Sequence, residues 1–123
     1  MSDLAEDFFE KMLDFFPSLE LEYKNHIEKY HGRLDTVVIE DVFMPEIIKL
    51  LKQNSNQELL NSIFEYFEQI SDSSDEYFHD IFSITVMEVL GNDRKILETA
   101  KKYMGSKTAL LQREADNLLG RDI

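Results

Sequence analysis

The sequence predicts an all-α fold. Apolar residues recur at three- and four-residue intervals along most of the chain. Gly, Pro or Asn-Ser-Asn breaks divide it into blocks of helix length. The one β-branched run, Val37-Val38-Ile39, has no second strand to pair with. At 123 residues the chain suits one domain of about six to seven helices, either an irregular bundle or a short stacked array of helix hairpins resembling an α-solenoid.

Each element has its own reason. Leu4, Phe8, Met12 and Phe15 share one helical face; Ser2 is placed to cap that helix, and Asp3, Glu6 and Asp7 suit the positive end of its dipole. Pro17 disfavours helical geometry at Phe16, so a break is expected there. A second helix is expected from about Ser18 to Tyr30, with Leu19, Tyr23, Ile27 and Tyr30 inward and Gly32 as its stop. Residues 33–44 are the least defined. The reading is a turn and then a helix from about Ile39 to Gln53, with Pro45 early in it and Val42, Ile47, Ile48 and Leu51 on its buried face.

After Asn54-Ser55-Asn56, the residues Leu59, Leu60, Ile63, Phe64, Phe67 and Ile70 form a dense stripe. Ser71 to Ser74 is a polar loop in which Ser74 is the expected cap of the next helix. That helix carries Phe78, Ile81, Phe82, Ile84, Val86, Met87, Val89 and Leu90, is apolar nearly all round, and is expected to be the central element. Gly91 ends it, and Asp93 caps a helix with Ile96, Leu97, Ala100 and Met104 inward. Gly105 separates this from the last helix, Thr108 to Leu119, with Leu111, Ala115 and Leu118 inward and Gly120 as the stop. Short loops favour antiparallel pairing among the last four helices.

Charge is the second strong signal. The net charge is −12, and it is unevenly spread. Residues 57–93 carry Glu58, Glu65, Glu68, Asp72, Asp75, Glu76, Asp80, Glu88 and Asp93 and no Lys or Arg. Residues 94–123 reverse the sign, with seven cations against four acids. Such a field attracts cationic surfaces and repels nucleic acid and anionic membrane. Neither of these is therefore an expected partner. The acidic N-terminus is unlike a secretory signal, no run approaches a membrane span, and cysteine is absent; a cytoplasmic location is the default expectation.

The chemical motifs are weak. Glu-x-x-His occurs twice, at Glu28/His31 and Glu76/His79. Di-iron carboxylate bundles use that spacing, but they also need two further inward glutamates, and the apolar faces contain none. Gly105-Ser106-Lys107-Thr108 has the tail of a phosphate loop without its second glycine or preceding strand. It reads better as a helix end followed by a helix start. Ser83 and Thr85 lie in the buried helix, where back-bonding to the preceding turn is their ordinary role. No catalytic residue, metal or cofactor is expected.

The aromatics sort by face. Phe8, Phe15, Phe64, Phe67, Phe78 and Phe82 lie on stripes, whereas Phe9, Tyr66 and Tyr77 lie off them. Exposed aromatics beside carboxylates are typical interface anchors. The candidate partner-binding set is therefore Glu65, Tyr66, Glu68, Asp72, Asp75, Glu76, Tyr77 and Asp80. The alternative role of these acids is a solvated face, balanced within the fold by Lys95, Lys101, Lys102 and Lys107.

Val89-Leu90-Gly91-Asn92-Asp93, Tyr103-Met104-Gly105-Ser106-Lys107-Thr108 and Phe15-Phe16-Pro17 followed by Glu22-Tyr23 carry a resemblance to an uncharacterised family of small acidic helical bacterial proteins. Proteins of this look include immunity proteins encoded beside secreted toxins. The resemblance thus implies a basic protein partner, most concretely a toxin domain neutralised through the acidic face. The alternative is a helical interaction or regulatory module, which could be homo-oligomeric; the sequence sets no oligomeric state.

Overall fold

The computed structural model describes residues 3–121, so the expected Ser2 cap lies outside the described residues. Within them the chain forms seven helices and no strand. These are α1 (Asp3–Phe15), α2 (Glu20–Lys29, entered through a 3-10 turn at Pro17–Leu19), α3 (35–53), α4 (Gln57–Ser71), α5 (76–90), α6 (Arg94–Lys101) and α7 (Ser106–Leu118). The break at Phe16 is where Pro17 requires it, with Phe16 at φ −128° and ψ 70°.

Two of the helices widen. In α3 the Met44 N–H donates to Ile39 O, five residues back, within a π turn at Ile39–Phe43. Pro45 has no N–H, and its ring crowds the carbonyl four residues earlier, so a wider turn there relieves the clash. The helix therefore begins at Asp35, not at Ile39, and Val37-Val38-Ile39 is helical. In α5 a second π turn spans Ser83–Met87, and the buried Thr85 hydroxyl donates to Ile81 O. The two π turns pack against each other in the core.

Asn54 and Asn56 adopt left-handed backbone at φ 47° and 52°, which asparagine tolerates, and this reverses the chain between α3 and α4. Asn56 also caps α4, its Oδ1 accepting from Leu59 N at 3.2 Å. Asp93 caps α6 by accepting from the N–H groups of Lys95 and Ile96. The cap of α5 is Asp75 and not Ser74: Asp75 Oδ1 accepts from Phe78 N at 3.1 Å, and Ser73 Oγ accepts from Asp75 N.

One core runs from Ala5 to Ala115. Phe8 of α1 meets Phe78 of α5 at 4.9 Å, and Phe82 of α5 meets Phe67 of α4 at 5.1 Å. A second aromatic group joins Phe9, Tyr23 and Phe43, tying α1, α2 and α3. Each such pair adds about 0.5–1.5 kcal/mol beyond burial. Phe9 is thus core, although it lies off the α1 stripe. Tyr30 is exposed, Phe15 is half-buried, and Ile84 breaks the buried surface of α5.

The last four helices do not stack as two hairpins. α6 packs chiefly on α3, while α7 packs on α4 and α5. The arrangement is the irregular bundle. Consequently α7 turns Thr108, Leu111, Gln112, Ala115 and Asp116 inward and leaves Leu118 84% exposed, contrary to the inward position expected for it.

Candidate interaction surface

The acidic segment divides into structural and outward-facing carboxylates. Glu68 belongs to the first group. Gly105, the residue before α7, has no side chain to cap that helix, and Glu68 of α4 does so instead. Its carboxylate accepts from Lys107 N at 2.9 Å, from Thr108 N at 2.8 Å and from Thr108 Oγ1 at 2.8 Å. Burial raises its pKa, but these bonds and the Lys107 charge outweigh burial and hold it below the ordinary carboxylate value. Gly105 is required by closeness: a Cβ there would lie 2.5 Å from Glu68 Cδ. The sequence that ends like a phosphate loop is a helix start that binds an anion, and that anion is the protein's own Glu68.

Tyr66 is not an exposed anchor. It is 6% exposed, packs near Phe8 and Phe15, and donates its hydroxyl to Asp7 at 2.7 Å. Burial and that bond raise its pKa. Asp75 is the α5 cap, and Asp72 lies 3.5 Å from Lys107 Nζ in an exposed pair. Of the C-terminal cations, Lys107 thus meets this segment at Asp72 and beside Glu68, and Arg121 meets it at the Glu88 carbonyl and Asn92. Of the eight candidates, Glu65, Glu76, Tyr77 and Asp80 remain exposed without a structural task of this kind, apart from one Tyr77 bond to Asp35. Glu76, His79 and Asp80 line a hollow with Ser73 and Ser74.

A second concavity lies near this hollow. A groove of about 980 Å³ runs between the start of α1, residues 33–36 and the start of α5. Among the described residues its lining includes Ala5, Leu34, Tyr77 and Ile81, with carboxylates Asp3, Glu6, Asp35 and Asp75 and the cation Arg33. The guanidinium is bidentate to Glu6 at 2.7 and 3.1 Å, donates to Asp35 at 2.6 Å, and lies 4.1 Å from the Phe9 ring centroid. Burial works against its charge, but Glu6, Asp35 and Tyr23 prevail and raise its pKa. Tyr77 donates to the other Asp35 oxygen at 3.1 Å. In the sequence, residues 33–36 read only as part of a turn, with no functional role. The available signal was Arg33 and Asp35 directly after the Gly32 stop.

Glu28 and His31 are both exposed at the end of α2, and His31 has left-handed backbone at φ 57°. Among the described residues, no three His, Asp or Glu side chains converge as a metal site would need. No helix among them is long and apolar enough to cross a membrane.

Fold and surface together define a small acidic all-helical protein with outward carboxylates on α4 and α5 and an anionic groove beside them. The chain belongs to the DUF7674 family, a domain of unknown function, which it matches over residues 9–119. Neither the curated proteins nor the solved structures contain a match.

Proposed function

We propose that this protein docks a basic protein partner through the acidic surface of α4 and α5, most concretely as an inhibitor of a cationic toxin domain in the manner of an immunity protein. The observation that carries this reading is the 57–93 segment. It contains no cation, and Glu65, Glu76 and Asp80 stay at the surface with Tyr77, which is 56% exposed. Exposed charge of one sign steers encounter, and an aromatic beside it supplies the anchoring contact. A nuclease toxin needs a basic groove for phosphate, and that groove is the complementary surface.

The test is capture of a partner from the source cells on the immobilised protein, beside a Glu65→Lys/Glu76→Lys/Asp80→Lys variant. Asp75 is left intact because it caps α5. A basic protein retained by the wild type, lost on the variant, and associating more slowly as salt rises supports the reading. An association rate indifferent to ionic strength counts against it. The second reading is a helical interaction module that self-associates. It is favoured by Leu110 and Leu118, which are 49% and 84% exposed on the outer side of α7. Sedimentation at increasing concentration distinguishes it.

A further inference from the structure

We infer that the cleft between α3, the end of α5 and α6 binds a small apolar monocarboxylate, an acyl chain with its carboxylate held between Lys52 and Lys95. The cleft holds about 410 Å³, within the range of small-molecule sites. Leu51 and Ile96 are buried in its wall, and Ile48 and Val89 are half-buried beside them. These four side chains are aliphatic and come from three helices, so the apolar surface is continuous across the α3–α6 contact. It shares no lining residue with the acidic hollow at Glu76 and Asp80 or with the groove around Arg33, and it does not depend on the docking reading.

Its charge is opposite to that of the molecule. Lys52 of α3 and Lys95 of α6 line it from two sides. Among the described residues neither ammonium has a carboxylate within ion-pair distance, although the chain carries 25 acids against 13 Lys and Arg. Lys95 was expected to balance the acidic segment and does not. The one acid in the lining, Asp93, is committed to its own helix, its Oδ1 accepting from Lys95 N at 2.9 Å and Ile96 N at 3.2 Å. The Asn92 carbonyl accepts from Arg121, which leaves the Asn92 amide N–H groups to donate. Two cations against one acid leave the cleft a single positive charge, which matches one carboxylate rather than a phosphate dianion. Lysine stems extend the apolar wall toward the rim and place their charge at the mouth. An amphiphile of this kind therefore buries its chain against Ile48, Leu51, Val89 and Ile96 with its head outward.

The probe is octanoate, titrated into the ¹⁵N-labelled full chain beside n-octylammonium and 1-octanol. The net charge of −12 favours octylammonium over the surface at large, so a preference for octanoate reports the cleft. Octanoate is expected to shift amides at 48–52, 89–96 and 99 and to bind tighter than either of the other two. Affinity should rise about threefold for each methylene added between butanoate and octanoate. The Lys52→Gln/Lys95→Gln variant should lose octanoate affinity roughly tenfold while its affinity for 1-octanol stays within about twofold, and thermal melts without ligand check that it remains folded. Octylammonium binding as tightly as octanoate, or octanoate affinity unchanged in the variant, overturns the carboxylate assignment. Affinity that does not change with chain length overturns the apolar one. Absence of shifts at these positions at millimolar octanoate overturns the site, a comparison made on the wild type alone.

Discussion

Replacing Glu68 with Ala removes the cap of α7 from forty residues away. Three hydrogen bonds to one carboxylate are lost, two of them from backbone N–H groups at the start of a 13-residue helix. Loss of a helix cap costs about 0.5–2 kcal/mol, and a bond to a charged group contributes about 1.5–3 kcal/mol. The Lys107 N–H is exposed enough to turn to water, and Thr108 Oγ1 keeps Ser71 Oγ at 3.1 Å. The expected net loss is therefore about 2–3 kcal/mol, which for a domain of this size lowers the melting temperature by about 6–12 °C. Gly105→Ala should cost a similar amount by a different route. Its backbone, at φ −78° and ψ 177°, accepts alanine, but the new Cβ strikes the Glu68 carboxylate. In the Glu68→Ala background that obstacle is absent, so the second substitution should add little. The coupling read from the double-mutant cycle should then be about 2 kcal/mol. The acid limb is a separate check. A carboxylate held below its unfolded pKa contributes stability that is present above the unfolded value, about 4.3, and lost as pH falls through the folded one. The difference between wild type and Glu68→Ala in urea unfolding should be full at neutral pH and shrink below about pH 4. Additive single costs, or a Glu68→Ala penalty that does not change with acidification, would refute the capping argument.

Other consequences follow from the same packing. Gly91→Ala places a Cβ against the Arg121 guanidinium and the fully buried Asp116 carboxylate, and should cost about 2–4 kcal/mol by chemical denaturation. Tyr66→Phe removes the bond to Asp7 and should cost about 1 kcal/mol. The Tyr66 pKa is raised in the fold, first by burial, so its contribution is present below the unfolded value of about 10 and lost as pH rises through the folded one. Wild type should then lose more stability than Tyr66→Phe on alkaline titration. Leu118→Ala should change stability by less than about 0.5 kcal/mol, whereas Leu111→Ala should cost about 2–4 kcal/mol, because only Leu111 is buried.

What could be read in the sequence was whatever is settled within a turn or two of helix. The breaks at Phe16, Asn54–Asn56 and Gly91, the Asp93 cap and the stripe from Leu60 to Ile70 depend on neighbours three or four residues away, and all are present. The fate of the carboxylates was not local. Glu68 and Glu65 look alike in the chain, but only the register of α4 against α7 turns Glu68 onto a helix start. Tyr66 seemed to lie outside the stripe until α1 supplied Phe8, Phe15 and Asp7 to bury and satisfy it.

By itself, the sequence determined that the chain is all-helical, where most of its helices stop, and that its charge is concentrated in one segment, because periodicity, capping and composition act over short distances. The tertiary structure alone decided that α6 joins α3 and that α7 joins α4 and α5, and so which acids are consumed inside and which face outward. The physical reason is that a polar group's role depends on the hydrogen-bond partner it meets. For Glu68, Tyr66 and Arg33 that partner lies 27 to 59 residues away.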